Sequence, residues 1–312
     1  MIHESSLIVW GQWLSDHSTV MTLLLALLAF SAEALRRIGV HAAQNATPAL
    51  TKLWASTWLT NASLLACAMA MTWLSDPWLS PWFSEALSGK SGLLPWLGFD
   101  HNPSIARIII AIFLLDFITY VLHRVMHFVP IFWQVHQVHH SVTEMNASTQ
   151  FRQHPLALIT TVAMQLPLLW ILGIPGISWV IYAFFSLAVE LWHHSTLRLP
   201  VRADRWLGFI LVTPRFHRTH HHFERRFHDS NYGSVFPIWD RLLGTVATAP
   251  VDATTGLISS KPDKTGRTVS LARCLLMPFQ RARAAPADGD MLALKAKRRS
   301  ARQKFQTVDG GK

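Results

Sequence analysis

The stretch Asp116–Ser141 reads DFITYVLHRVMHFVPIFWQVHQVHHS. It begins as an apolar helix and ends as a cluster of histidines. His123 and His127 are one helical turn apart, and His136, His139 and His140 follow the spacing i, i+3, i+4, which places them on one helix face. The same spacing returns downstream at His217, His220 and His221. Windows 123–140 and 217–228 hold ten of the 17 histidines, against fewer than two at the chain's own histidine frequency. Neutral imidazole is the commonest side-chain ligand of transition metals. The eight imidazoles in these patterns exceed what one ion can use and suit two metals with about four ligands each. His3, His17, His41 and His101 stand alone and read as ordinary hydrogen-bonded histidines.

Outward from this stretch the chain reads as a membrane protein. Of its 312 residues, 50% are hydrophobic and only 15% charged, below the usual quarter for a soluble domain. Sixteen residues without Asp, Glu, Lys or Arg lie between Asp16 and Glu33, and 23 lie between Lys52 and Asp76. A third apolar run covers Ile108–Leu122 and is interrupted by Asp116. The longest charge-free window, Gln153 to Val189, has 37 residues; Pro167, Gly173, Pro175 and Gly176 are expected to break it into a hairpin with arms 157–172 and 177–192. Arms this short make the hairpin a candidate re-entrant structure. The expected fold is all-α: about four membrane helices, part of them that hairpin, under a cytosolic helical cap that holds a histidine-rich dimetal site. The division is 1–104 for the N-terminal membrane helices, 105–250 for a catalytic domain, and 251–312 for a basic, loosely ordered tail with a short helix at 291–305.

Charge sets an orientation. Loop 36–52 carries Arg36, Arg37 and Lys52 and no acid, whereas loop 76–100 carries three acids against Lys90. The first is expected on the cytoplasmic side with the histidines and the tail. No basic segment precedes an apolar one in residues 1–20, so no cleavable signal is expected. The net charge of +10 is mostly the tail's: residues 251–312 hold 13 basic and five acidic side chains. Such a tail suits anionic lipid; it lacks a folded nucleic-acid readout motif. Two cysteines exclude a disulfide framework and an iron–sulfur cluster.

Other residues suggest supporting roles. Asp116, Tyr120, His123 and His127 form one stripe down a helix, so Asp116 is expected to hold a ligand's outer ring nitrogen, with an ion pair to Arg124 as the competing reading. Arg152 and Arg215 are expected to pair with Glu144 and Asp240 rather than to bind a lipid phosphate or carboxylate. HExxH is absent, which removes the common zinc peptidase pattern. An all-imidazole pair beside an apolar wall suits oxygen activation by iron. A zinc-dependent membrane lipid hydrolase and a membrane metal transporter or sensor are the alternatives, separated by iron and oxygen dependence.

The segments DFITYVLHRVMH (116–127), WQVHQVHHS (133–141), MNASTQFRQHPL (145–156), WHHSTLRLP (192–200), TPRFHRTHHH (213–222) and NYGSVFPIWDRLLGT (231–245), in this order, resemble the fatty acid hydroxylase/sterol desaturase superfamily of integral-membrane diiron enzymes. The resemblance implies two iron ions held by His123, His127, His136, His139, His140, His217, His220 and His221, with His194 as a further ligand. It places Glu190 as a ligand or outer-shell group and His154 behind the ligands, leaves His193 and His222 as bystanders, and sets Asn231 in a turn where Gly233 supplies an unusual backbone angle. The implied reaction is dioxygen-dependent hydroxylation or desaturation of a membrane lipid. Electrons would come from a separate reductase, ferredoxin or cytochrome-type donor, since the chain has no haem, flavin or iron–sulfur motif. Hydroxylation of a bacterial-type membrane lipid is the first expectation, sterol or carotenoid-like substrates the second, and a pterin-dependent ether-lipid reaction a third.

Overall fold

In the computed structural model the described residues are 27, 28, 31, 33, 48–88, 90–98, 104–250, 255–257 and 269–280. Residues 1–278 form one compact unit and 279–312 another. The first apolar window, all but three of its residues, and the 291–305 segment lie outside the described residues.

The described part is helical. The main helices are α1 (Pro48–Ala86), α2 (Ile105–Phe128), α3 (Pro130–His140), α4 (Pro155–Leu172), α5 (Gly176–His194), α6 (Val201–Leu207), α7 (Pro214–His220), α8 (Ile238–Leu242) and α9 (Leu271–Leu276). Helices α2, α4 and α5 are long and apolar enough to cross a membrane. The 53–75 window, expected to be a span, lies inside α1, which runs on through Pro77 and Pro81 to Ala86. It is not among the three, and it buries the polar side chains Thr57, Thr60 and Asn61.

The hairpin forms close to where it is expected. Pro167 does not break α4; the stop is Gly173, which caps it in the left-handed conformation at φ 67°. Gly173 also meets the backbone of Gly92, an approach that a Cβ on either residue would block. Helix α1 packs on α4, and α2 packs on α5. Leu115, Leu169, Ile174, Tyr182 and Val235 are buried in the core between them.

Three local devices turn the chain toward one site. Val129 is extended and Pro130 opens α3, because proline cannot continue α2 and pushes its predecessor out of the helical region. Asn146 caps the 3₁₀ turn Ala147–Phe151 in a reciprocal capping box with Thr149. Thr213 caps α7, with Pro214 in its first turn.

Arg152 follows that 3₁₀ turn and is wholly buried, donating to Ser141 Oγ (2.9 Å), Asn61 Oδ1 (3.0 Å) and Cys274 Sγ (3.3 Å). It therefore ties α1, α3 and α9 together through neutral groups instead of pairing with a carboxylate. Arg215 is exposed.

Candidate metal centre

Nine imidazoles converge in two adjacent groups. His123, His127, His136, His140 and His220 form one; His139, His194, His217 and His221 form the other, with the candidate ligand atoms of each group within 4.8 Å of one another. The two HxxHH boxes are interleaved between them. Positions i and i+4 of the first box, His136 and His140, enter the five-histidine group, and its middle member, His139, enters the other. The second box does the reverse: His217 and His221 join the four-histidine group, and His220 crosses to the five. The rings of His140 and His221 stack at 4.7 Å where the groups meet.

Ring orientation is set from outside. His123 Nδ1–H donates to Tyr232 O at 2.8 Å, His220 Nδ1–H to Ser230 O at 2.7 Å, and His194 Nδ1–H to Glu190 O at 2.7 Å. A carbonyl only accepts, so these rings carry their proton on Nδ1 and present a bare Nε2 inward. His127 Nδ1–H meets Asp229 Oδ1 at 3.2 Å, and Asp229 is held in turn by Arg225 at 2.7 Å. The amide of Gln153 meets His139 Nδ1 at 3.2 Å.

Inside, the Nε2 atoms crowd. The pairs His123–His136, His139–His194, His194–His217 and His217–His221 stand 3.0–3.2 Å apart. The Nε2 atoms of His127, His140 and His220 are buried with no hydrogen-bond partner among the described residues. His123 and His194 present a bare nitrogen in three of these pairs, and two bare nitrogens facing each other repel unless a cation lies between them. Metal–nitrogen bonds of about 2.0–2.1 Å put neighbouring ligand atoms roughly 3 Å apart, which is the spacing found here. Burial first, and then the neighbouring imidazoles, hold His136, His140, His217, His220 and His221 well below the usual histidine range. His139 is lowered in the same way, by burial and then by His194. The rings are therefore neutral at physiological pH, the form that binds metal. The donor set fits a pair of transition-metal ions.

The supporting residues differ from expectation. Among the described residues Asp116 hydrogen-bonds to no imidazole. Its carboxylate accepts from Tyr182 OH (3.0 Å), Val235 N (3.2 Å), Phe236 N (3.1 Å) and Trp239 Nε1 (2.8 Å), and so anchors the 231–245 segment to α2. Tyr120 OH meets Thr245 Oγ1 at 2.8 Å. His154 caps α4, accepting from Leu156 N, and its Nε2 meets Leu275 O. The Glu190 carboxylate accepts from Gln150 and is outside both groups. In the NYG turn it is Asn231, at φ 54°, that takes the left-handed conformation. Its amide bridges Phe216 O, Ala247 O and Ala247 N. Gly233 is needed for space instead, since a Cβ there would lie 2.8 Å from Phe236 O and 3.0 Å from Asp240 Oδ2.

Asp229, Gln153 and the carbonyls of Ser230 and Tyr232 escaped the sequence. Carbonyls leave no signature, and nothing in the spacing of Asp229 marks it as the carboxylate that reaches His127. His193 is buried against the second group, its ring stacked on His217 at 3.9 Å, with neither ring nitrogen partnered among the described residues.

Known proteins match over the same region. The fatty acid hydroxylase family model covers residues 108–245. Human alkylglycerol monooxygenase is 38% identical over 130 residues, 42% of this chain and 28% of that protein. Ornithine lipid hydroxylase OlsE of Rhizobium tropici is 31% identical over 202 residues, 63% of this chain and 56% of its own length. Methylsterol monooxygenase 1 of Danio rerio is 31% identical over 133 residues, 40% of this chain and 42% of its own length. The chain thus spans from about a quarter to about half of these relatives. No solved structure matches it significantly. All nine converging histidines, the loop that orients three of them and the Asp116 anchor of that loop fall inside residues 108–245, the segment that matches the fatty acid hydroxylase family model.

Proposed function

We propose that the protein is a membrane-bound non-haem diiron monooxygenase that hydroxylates a membrane lipid with dioxygen and electrons from a separate donor. The observation that carries this reading is the convergence of nine imidazoles in two adjacent groups beside apolar helices. The two irons would be held by His123, His127, His136, His140 and His220, and by His139, His194, His217 and His221. The bound pair would supply the redox capacity to reduce dioxygen and attack an unactivated C–H bond.

The chain's own part is placement and exclusion of water. Ser230 O, Tyr232 O, Glu190 O and Asp229 aim Nε2 atoms inward, which spares the site reorganisation when metal binds. Tyr232 is wholly buried and lies edge-on to His123 and His127, walling that side from solvent. The apolar flanks of α2 and α5 offer a lipid chain a lateral approach. The relatives' names, for an alkylglycerol, an ornithine lipid and a methylsterol, support a lipid substrate, and their being monooxygenases and hydroxylases supports hydroxylation over desaturation. Residues 105–250 would form the catalytic part, with 1–104 adding membrane helices. The basic loop 36–52 supports a cytoplasmic site and tail.

The test is metal per chain in detergent-purified protein, Mössbauer spectra after iron loading, and mass analysis of lipid extracts incubated with a reductase. A coupled iron pair and a product heavier by one oxygen atom, formed only with dioxygen, are expected. Zinc alone, with no iron uptake and water-dependent cleavage of lipid, would replace this reading with the hydrolase.

A further inference from the structure

Beside the metal centre the chain builds a second structure that the metals do not use. Residues 201–212 and 235–246 lie together: Val212 N–H donates to Val235 O at 2.8 Å, and Arg241 donates to Gly208 O and to Phe209 O (3.0 Å) while standing 4.6 Å over the Phe209 ring. The pair is pinned to α2 at Asp116, through Val235 N, Phe236 N and Trp239 Nε1. Asp116 precedes His123 by seven residues, roughly 10 Å of helix. The pair therefore lies against the side of α2, about two turns before its first histidine, and not above its histidine end.

Its outer face is apolar. Trp206 is 74% exposed, Phe209 58%, Ile210 64% and Leu242 69%. Facing water, such a patch is an aggregation liability. Around it are Arg202, Arg205 and Arg241; the two segments hold one acid that is not buried, Asp204, since Asp240 is buried and accepts from Tyr232 N, Gly233 N and Thr245 Oγ1. Tryptophan and aliphatic side chains bordered by arginines are what an interfacial segment presents to a bilayer. The arginines select the occupant. A second copy meeting it through the same face would set arginines against arginines, whereas anionic headgroups complement the rim.

We propose that 201–212 and 235–246 form a lipid-inserted shoulder: Trp206, Phe209, Ile210 and Leu242 enter the acyl boundary of the nearer leaflet, and Arg202, Arg205 and Arg241 meet its anionic phosphates. The shoulder continues directly into Tyr232, whose carbonyl orients His123, so it sets the height of the metal centre above the lipid. The proposal needs a bilayer but no particular reaction.

The test uses the full chain with Cys67→Ser, Cys274 being wholly buried, and single nitroxide labels on Phe209→Cys, Ile210→Cys or Leu242→Cys. A label on Arg226→Cys, an exposed position near the metal centre, is the aqueous control. Proteins are placed in nanodiscs of phosphatidylcholine with or without phosphatidylglycerol, and collisions with oxygen and with a water-soluble nickel chelate are compared. Expected is oxygen access above nickel access at the three shoulder sites, the reverse at 226, and deeper readings with phosphatidylglycerol that Arg202→Glu/Arg205→Glu abolishes. Nickel access at the shoulder as free as at 226 would overturn the proposal, as would protection that appears only after an acidic protein is added. Three label sites keep the result readable if one variant fails to fold.

Discussion

The five-histidine and four-histidine groups use the same side chain at the same helical spacings, yet they are held differently. In the first, His123, His127 and His220 are each tied from behind, and all three ties come from the short run Asp229–Tyr232. In the second, His194 is tied by its own helix and His139 meets Gln153, but His217 and His221 have no partner on Nδ1 among the described residues. Packing holds them instead, with His193 stacked on His217. One group is thus oriented by a loop and the other by a helix and a stack, so the two should fail in different ways.

The sharpest break is at the interleaved boxes. His139→Ala leaves three imidazoles in its group and His220→Ala leaves four in the other. Both are expected to abolish activity, but His139→Ala should lose one of two metals outright while His220→Ala retains part of both, read by metal content per chain. Equal metal loss would show that the groups do not bind independently.

Asp116→Ala comes next. It leaves two backbone N–H groups and the Trp239 indole N–H without their acceptor, while Tyr182 OH keeps Thr119 Oγ1, at a cost of about 3 kcal/mol or more in thermal unfolding. Because the loop behind the first group hangs from that anchor, its metal should be lost before the second group's. Asp229→Ala is more local. Loss of a carboxylate behind a ligand costs roughly 10- to 100-fold in metal affinity, here expected at one of the two ions, with Asp229→Asn recovering part of it. Equal weakening of both ions would erase the distinction between the groups.

Acid should act on both. The metal-free folded protein keeps its buried rings neutral, while the unfolded chain takes up protons below about pH 6.5. Stability of the metal-free protein therefore falls as pH drops through that value and is flat above it; a melting temperature that rises on acidification would contradict the burial argument. The smallest effect is expected of His193→Phe. It keeps the stack on His217 and removes two unpartnered buried nitrogens, so it should be neutral or stabilising by about 1 kcal/mol with full metal content. Loss of metal from the second group would instead make His193 a ligand.

Helical spacing is local, and local geometry is legible in a sequence. One turn of helix put His123 with His127, and the i, i+4 members of each box stayed together. The hairpin arms gave α4 and α5 to within two residues of their ends and the run 108–122 gave the middle of α2, because a helix in lipid must satisfy its own backbone. Asp116 shows where such reading stops. Its position within an apolar run marks it as partnered, but its partners are more than 60 residues away and half are backbone N–H groups.

What the sequence determined by itself was an all-helical membrane chain with eight histidines at helical spacings fit for metal; His194 was expected only from the family resemblance. Composition and periodicity are properties of neighbours along the chain. Only the tertiary structure decided that each box divides between two groups, five and four, and that Asp229, not Asp116, backs a ring. Those pairings depend on how α2, α3, α5 and α7 cross, and on a loop whose useful atoms are mostly carbonyls that every residue carries alike.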